Sequence, residues 1–312
     1  MQGEEFKERD CMSFEGFCTC IKIDLQHMLK GAKVTVQKVA KNNGISRQGL
    51  IILENEGSNL TPTIYLESFY HAYLEGRKLE WIEQDILMVY QRHKPLWNFN
   101  LGVFGDFNWV RERMVCRLVN REMNREYLDM APHVPYLDLA VTFACSVGSE
   151  LLGSDASIPI YNSHLEMWGV TEKDLYAVAV ENTKRLFPPV LRTMQEVVEQ
   201  MGVEQDSLSP EEQSFGRQMY VLSDEKRSYG AVYMLYKNVL KDFANKVDSD
   251  LYILPSSVGE LILIPMRKFR NPAGLRGIVR TMNQEHVEPT AILSDNVYKY
   301  TRATGKITIQ GE

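Results

Sequence analysis

Ser256, Ser257 and Glu260 share the short string PSSVGE, so two hydroxyls and a carboxylate are held within five residues of one another. Exposed hydroxyls in a strand-to-strand turn can act on a substrate or line a ligand site. Pro and Ser also satisfy the backbone of a tight turn, and that reading of the same residues is the favoured one. His164, with Glu166 beside it and Asp138 on a nearby strand, offers an acid/base set if folding brings the three together. These four residues, Ser256, Ser257, Glu260 and His164, are the catalytic candidates. The six histidines are scattered singly. The chain lacks H-E-x-x-H, G-x-S-x-G, G-x-G-x-x-G and a complete P-loop, since ATGKIT has neither the upstream glycine nor the following helix. Cys18 and Cys20 make a lone C-x-C with no second pair to complete a four-ligand site, so neither a metal nor a cofactor is expected.

Binding chemistry has a different set of candidates. Asn182 falls on the apolar face of its helix, where it either bonds to neighbouring backbone or makes a polar contact in a pocket. Phe69, Tyr70 and Tyr73 recur at helical spacing and would stack on a ligand only if they faced water, so core packing is expected. Between Leu261 and Gln284 stand Arg267, Lys268, Arg270, Arg276 and Arg280 without a single acid. A second row, Arg113, Arg117, Arg121 and Arg125, repeats every four residues with Glu112, Glu122 and Glu126 interleaved. Such rows bind phosphate or nucleic acid, or pair with the protein's own acids. The chain has 35 Lys and Arg against 41 Asp and Glu, a net charge of −6, and no nucleic-acid module. A solvated or internally paired face is therefore the expectation, with nucleic acid the lesser partner. By segment the charge runs −1 over residues 1–95, −9 over 96–216 and +4 over 217–312, so an acidic middle precedes a basic end.

Composition narrows the class. The 312 residues are 44% hydrophobic and 24% charged, which is globular, and no apolar run approaches the roughly 20 residues that cross a bilayer. The start MQGEEFKERD lacks the pattern of a secretory signal. Five cysteines form an odd set in a chain too long to need staples, which suits free thiols in a cytoplasm.

The elements that must position these residues read as α+β. A helix to about Lys30 ends at Gly31. A hairpin then turns at Asn42–Gly44, and a helix capped by Thr61 and Pro62 runs to Gly76, followed by its partner from Leu79 to Pro95. The boundary falls in KPLWNFNLGVFGDFN, giving an N-terminal unit 1–95 and a larger domain 96–312. Beyond it, Val110–Tyr127 reads as helix. Leu137–Val147 reads as a strand with one core face and one small or polar face, and Ile158–Tyr161 as an edge strand with Pro159. Thr171 and Asp174 form a capping box for a helix through Asn182. Another helix follows Pro188–Pro189 to Gly202, and the acidic stretch 203–216 is expected to be mobile. Then come a strand at Met219–Leu222, a helix at Gly230–Val247, strands at Leu251–Leu254 and Val258–Ile264 around a turn at 255–257, a helix near Ala273–Gln284, and a terminal hairpin turning at Thr304–Gly305. The sheet is expected to be mainly antiparallel.

Six strings in order, TPTIYLESFYHAYLEG, PHVPYLDLAVTFACSV, HLEMWGVTEKDLYAVAVENTKRLFPP, MYVLSDEKRSYGAVYMLYKNVLKDFA, DLYILPSSVGELILIP and LSDNVYKY, resemble the uncharacterised bacterial domain-of-unknown-function family numbered 5688. The resemblance runs roughly from Val34 to Tyr300 and implies no particular activity. It also marks two departures. That family's pattern is PSSIHE or PSSVHE, so Gly259 stands where a histidine is usual, and MRKFRNPAGLRGIVR is basic where an acidic helix start is usual. Together these observations lead to a cytoplasmic, non-catalytic protein that binds a protein or a small ligand. The alternatives are an unrecognised hydrolase or transferase at the 255–260 turn, or phosphate and nucleic-acid binding through the 267–280 segment.

Overall fold

The computed structural model describes residues 12–54, 61–94, 101–147, 156–202, 216–268 and 274–311. The chain packs as two compact units, the first made of Met1–Lys41, Ser46–Gly102 and Val147–Ala156, the second of Asn42–Ile45, Val103–Ser146 and Ser157–Glu312. Both are α+β, built on three mainly antiparallel sheets.

In the first unit, α1 (Phe14–Met28) starts where the Ser13 hydroxyl accepts the Gly16 N–H, and it buries Phe17, Cys18, Ile21 and Leu25 at helical spacing. β1 (Lys33–Ala40) and β2 (Ser46–Leu53) pair antiparallel, with Leu50 and Ile52 of β2 in the core. The helix expected from Thr61 does not start there. The Thr61 hydroxyl donates to the Ile52 carbonyl, and β3 (Ile64–Tyr65) joins β2. Ile64 and Leu66 are buried around a half-buried Tyr65, a period of two, and that alternation outweighs the Thr-Pro start signal. α2 (Glu67–Leu74) begins only after it, and α3 (Leu79–His93) follows with Ile82, Ile86 and Tyr90 buried. Phe69, Tyr70 and Tyr73 pack on this core, with Tyr70 against both Phe14 and Phe17.

The second unit opens with α4 (Phe107–Arg111) and then departs from the helix expected over Val110–Tyr127: Met114–Asn120 is a strand, β4, followed by α5 (Arg125–Met130). Val115 and Val119 are β-branched and MVCRLV is buried apart from Arg117, which suits a pleated surface, and arginines four apart fit the period of a strand as well as that of a helix. β5 (His133–Tyr136) turns through Leu137, at φ 55°, into β6 (Leu139–Val147). β6 lies between β4 and β5, and β7 (Ala156–Pro159) also pairs with it. Both faces of β6 are covered, because Ala140, Thr142 and Ala144 are buried together with Val141, Phe143 and Cys145. The small or polar face is thus interior, contrary to the expectation of one open side.

α6 (Asn162–Trp168) and α7 (Glu172–Leu186) follow, the latter opened by the expected Thr171–Asp174 box. After Pro188–Pro189 the chain forms β8 (Val190–Thr193) rather than helix, and α8 (Met194–Gln200) starts at a second box, Thr193 with Glu196. The acidic stretch 203–216 lies, apart from Gly216, outside the described residues. β9 (Tyr220–Ser223) leads to a 3₁₀ segment at Gly230–Leu235, a break at Tyr236, and α9 (Lys237–Lys246). β10 (Leu251–Ser257) continues through Pro255 with a bulge, so the turn into β11 (Glu260–Pro265) is Val258–Gly259 and not 255–257. Pro255 is tolerated because β12 pairs with β10 only over Leu251–Ile253. α10 (Leu275–Glu285) lays Leu275 and Val279 on Tyr252, Leu254 and Ile264, and β12 (Tyr298–Thr301) and β13 (Lys306–Ile309) close the order β13-β12-β10-β11-β9-β8.

Candidate functional site

The PSSVGE turn is tied down by its neighbours. Ser257 Oγ accepts the Gly259 N–H at 3.1 Å, Ser223 Oγ donates to the Gly259 carbonyl at 2.6 Å, and Glu260 faces Arg227 at 4.0 Å. Ser256 and Ser257 are half-buried. A Cβ placed on Gly259 would sit 2.3 Å from the Arg227 carbonyl oxygen, so the position where the family pattern carries histidine has no room for a side chain in this fold.

His164 lies in α6 among Phe104, Tyr161 and Trp168, and its Nδ1 accepts the Tyr161 N–H at 3.0 Å. Burial pushes its pKa down from the ordinary 6.5. Asp138 is occupied elsewhere, accepting from Ser294 Oγ, Asn296 Nδ2 and the Tyr298 hydroxyl at 2.6, 3.0 and 2.8 Å, and among the described residues no hydrogen bond joins it or Glu166 to His164. Asn182 is buried and donates to the carbonyls of Arg111 and Met114, anchoring α7 on the segment that leads into β4.

The basic segment is divided by the fold. Arg270 lies outside the described residues, and Arg267 is exposed. Arg276 donates to Asn296 Oδ1 at 2.8 Å and Arg280 faces Asp295 at 3.9 Å, so the SDN string at 294–296 meets the cations of α10 while Ser294 and Asn296 hold Asp138. In the other row, Arg113 lies over Trp109, Arg125 pairs with Glu122, and Arg117 donates to two hydroxyls, those of Ser157 and Tyr229. Cys116 and Cys145 are buried thiols pushed up to about 11 and about 12 by desolvation, which keeps them protonated and unreactive.

A groove of about 380 Å³ lies between α9 and the face of the six-stranded sheet. Leu191 of β8, Leu222 of β9 and Leu263 of β11 form its floor, with Val239 and Phe243 of α9 and Pro189 as apolar walls. Asn238, Asp242 and Lys246, spaced four apart on α9, and Lys184 at the end of α7 supply the polar rim. Leu191 is 36% exposed, and neither Lys184 nor Lys246 has an ion-pair partner among the described residues. Two ammonium groups against one carboxylate leave the rim positive. Such an arrangement takes an apolar body on the floor and an anionic group at the edge. Val239 and Phe243 fall on one stripe of their helix, but the convergence of the lining carries no local signal, because five separate elements bring it together.

Among the described residues no three His, Cys, Asp or Glu are placed to hold a metal ion, and no described helix is long and apolar enough to cross a membrane. No curated protein and no solved structure matches the chain. A family model described as "Family of unknown function (DUF5688)" matches residues 14–302, and its reach across both units means that the chain belongs to DUF5688.

Proposed function

We propose that this chain is a non-catalytic binding protein of the cytoplasm whose ligand is a small amphipathic anion seated in the α9 groove. The observation that carries this reading is the groove itself: an apolar floor with a partly exposed leucine, edged by two lysines that lack ion-pair partners among the described residues. Its volume falls within the roughly 300–1,000 Å³ typical of small-molecule sites. The four described cysteines are free thiols, which supports a reducing compartment. The bonds that tie Ser257 and His164 into turn and cap favour binding over the hydrolase alternative, and the pairing of Arg276 and Arg280 with Asn296 and Asp295 weighs against nucleic acid.

Isothermal titration with decanoate, decan-1-ol and decyltrimethylammonium tests the reading. Decanoate is expected to saturate, and the double variant Lys184→Gln, Lys246→Gln to weaken it by about tenfold. Leu191→Asp, at a partly exposed position, is expected to abolish binding with the fold retained by circular dichroism. Equal affinity for all three amphiphiles, or decanoate binding unchanged in Leu191→Asp, would overturn the proposal.

A further inference from the structure

Arg117 projects from β4 and is exposed. Its Nη2 donates to Ser157 Oγ at 2.9 Å and to the Tyr229 hydroxyl at 3.2 Å, and its guanidinium carbon lies 5.1 Å from the centre of the Tyr229 ring. Among the described residues no carboxylate pairs with it. A guanidinium only donates, so each hydroxyl uses a lone pair on it and keeps its own proton to give. Neither the Ser157 nor the Tyr229 hydroxyl has an acceptor for that proton among the described residues. Guanidinium N–H groups, a serine O–H and a tyrosine O–H therefore converge at one place that has no carboxylate among the described residues.

The geometry points to an oxyanion site: we infer that Arg117, Ser157 and Tyr229 together bind a phosphate or carboxylate group of a small molecule. The site does not depend on the groove. Its parts are held in advance of any ligand, which lowers the cost of ordering them. Asp224 is 2% exposed and accepts the N–H groups of Lys226, Ser228 and Tyr229, which fixes the backbone of Tyr229. Phe187 stacks on the Tyr229 ring with centroids 4.0 Å apart, fixing its plane. Arg117 also lies opposite the buried Thr142 in the β4–β6 register, so the pairing of the two strands fixes where it projects. Charge-assisted bonds from a fork of guanidinium donors suit planar carboxylate and tetrahedral phosphate alike.

The test is a titration of the full chain with sodium phosphate and, separately, sodium acetate, against sodium chloride at constant ionic strength, following the arginine Nε–Hε NMR resonances. The Arg117 resonance is identified by its loss in Arg117→Lys. Saturable movement of that resonance with phosphate or acetate, but not with chloride, is expected. Tyr229→Phe, which keeps the ring stack, and Ser157→Ala are each expected to weaken binding about fivefold, the loss of one hydrogen bond. Movement that follows ionic strength alone, or affinities unchanged in both hydroxyl variants, would overturn the inference.

Discussion

The N–H of Gly230 donates to the carbonyl of Gly259 at 2.9 Å, and no side chain fits between the two residues. A Cβ on Gly230 would lie 2.1 Å from that oxygen, and one on Gly259 would lie 2.3 Å from the Arg227 carbonyl. Both obstacles are backbone and cannot rotate away. Gly230→Ala and Gly259→Ala are each expected to destabilise the second unit by about 1–3 kcal/mol or more, the cost of overpacking a rigid contact. Urea unfolding checks this, and an unchanged midpoint in either variant would show that the turn gives way.

The buried carboxylate of Asp224 satisfies three backbone N–H groups at 2.6–3.0 Å. Asp224→Ala leaves those donors without partners and is expected to cost about 3 kcal/mol. Asp224→Asn retains one acceptor oxygen and is expected to cost less. The order of the two variants in urea midpoint is the measurement, and equal midpoints would remove Asp224 from its organising role.

Cys116 lies on the outer strand β4, and its N–H finds the Thr183 hydroxyl of α7 at 2.9 Å. That hydroxyl in turn donates to the Ala179 carbonyl at 2.6 Å. Thr183→Val keeps the shape and deletes the acceptor, so a buried N–H is left unmet at a cost of about 1–3 kcal/mol. Amide hydrogen exchange at Cys116 is expected to accelerate in the variant, whereas unchanged protection would assign the bond no weight.

Stability is expected to fall with acidity in two separate windows. Above 6.5 the His164 imidazole is neutral in both folded and unfolded chains; as pH drops through 6.5 the unfolded chain takes up the proton first, because burial holds the folded value lower. Protonation at Nδ1 would also break the bond from Tyr161. Stability is thus full above 6.5 and declines from there toward the folded value. His164→Asn, which keeps an acceptor, is expected to flatten this slope. Asp174 and Glu196 are held below their ordinary 3.8 and 4.5 by the bonds of their capping boxes, so their contribution is present above those values and is lost only in stronger acid. Urea midpoints measured from about pH 7.5 down to about pH 3 separate the two windows.

Much of the local structure was legible in the residues. Gly31, Gly76, Gly202 and Gly305 end elements at positive φ, where a missing side chain matters. The Thr171–Asp174 box was visible because its two partners are three residues apart. Short-range signals mislead where they compete with pairing across a sheet. Thr61–Pro62 looked like a helix start and Pro188–Pro189 like the approach to another, yet the residues that follow join β2 and β9. Val110–Tyr127 reads as helix where β4 runs, and arginines every four residues do not separate the two, since that spacing repeats on one side of either element.

The sequence by itself determined the α+β class, the family, the Thr171–Asp174 cap and which side chains are apolar enough to be buried, because each depends on composition, on motifs along the chain or on partners a few residues apart. Tertiary structure decided what meets what. Arg117 reaches Ser157, 40 residues away, and Tyr229, 112 residues away, while the groove gathers its lining from α7, α9 and three strands. The basic run was plain in the chain, but its pairing with the SDN string rests on the way α10 and the β12 approach pack together. Local propensity acts over a turn or two, whereas a binding site is set by the register and packing of distant elements, and these come into being only as the core closes.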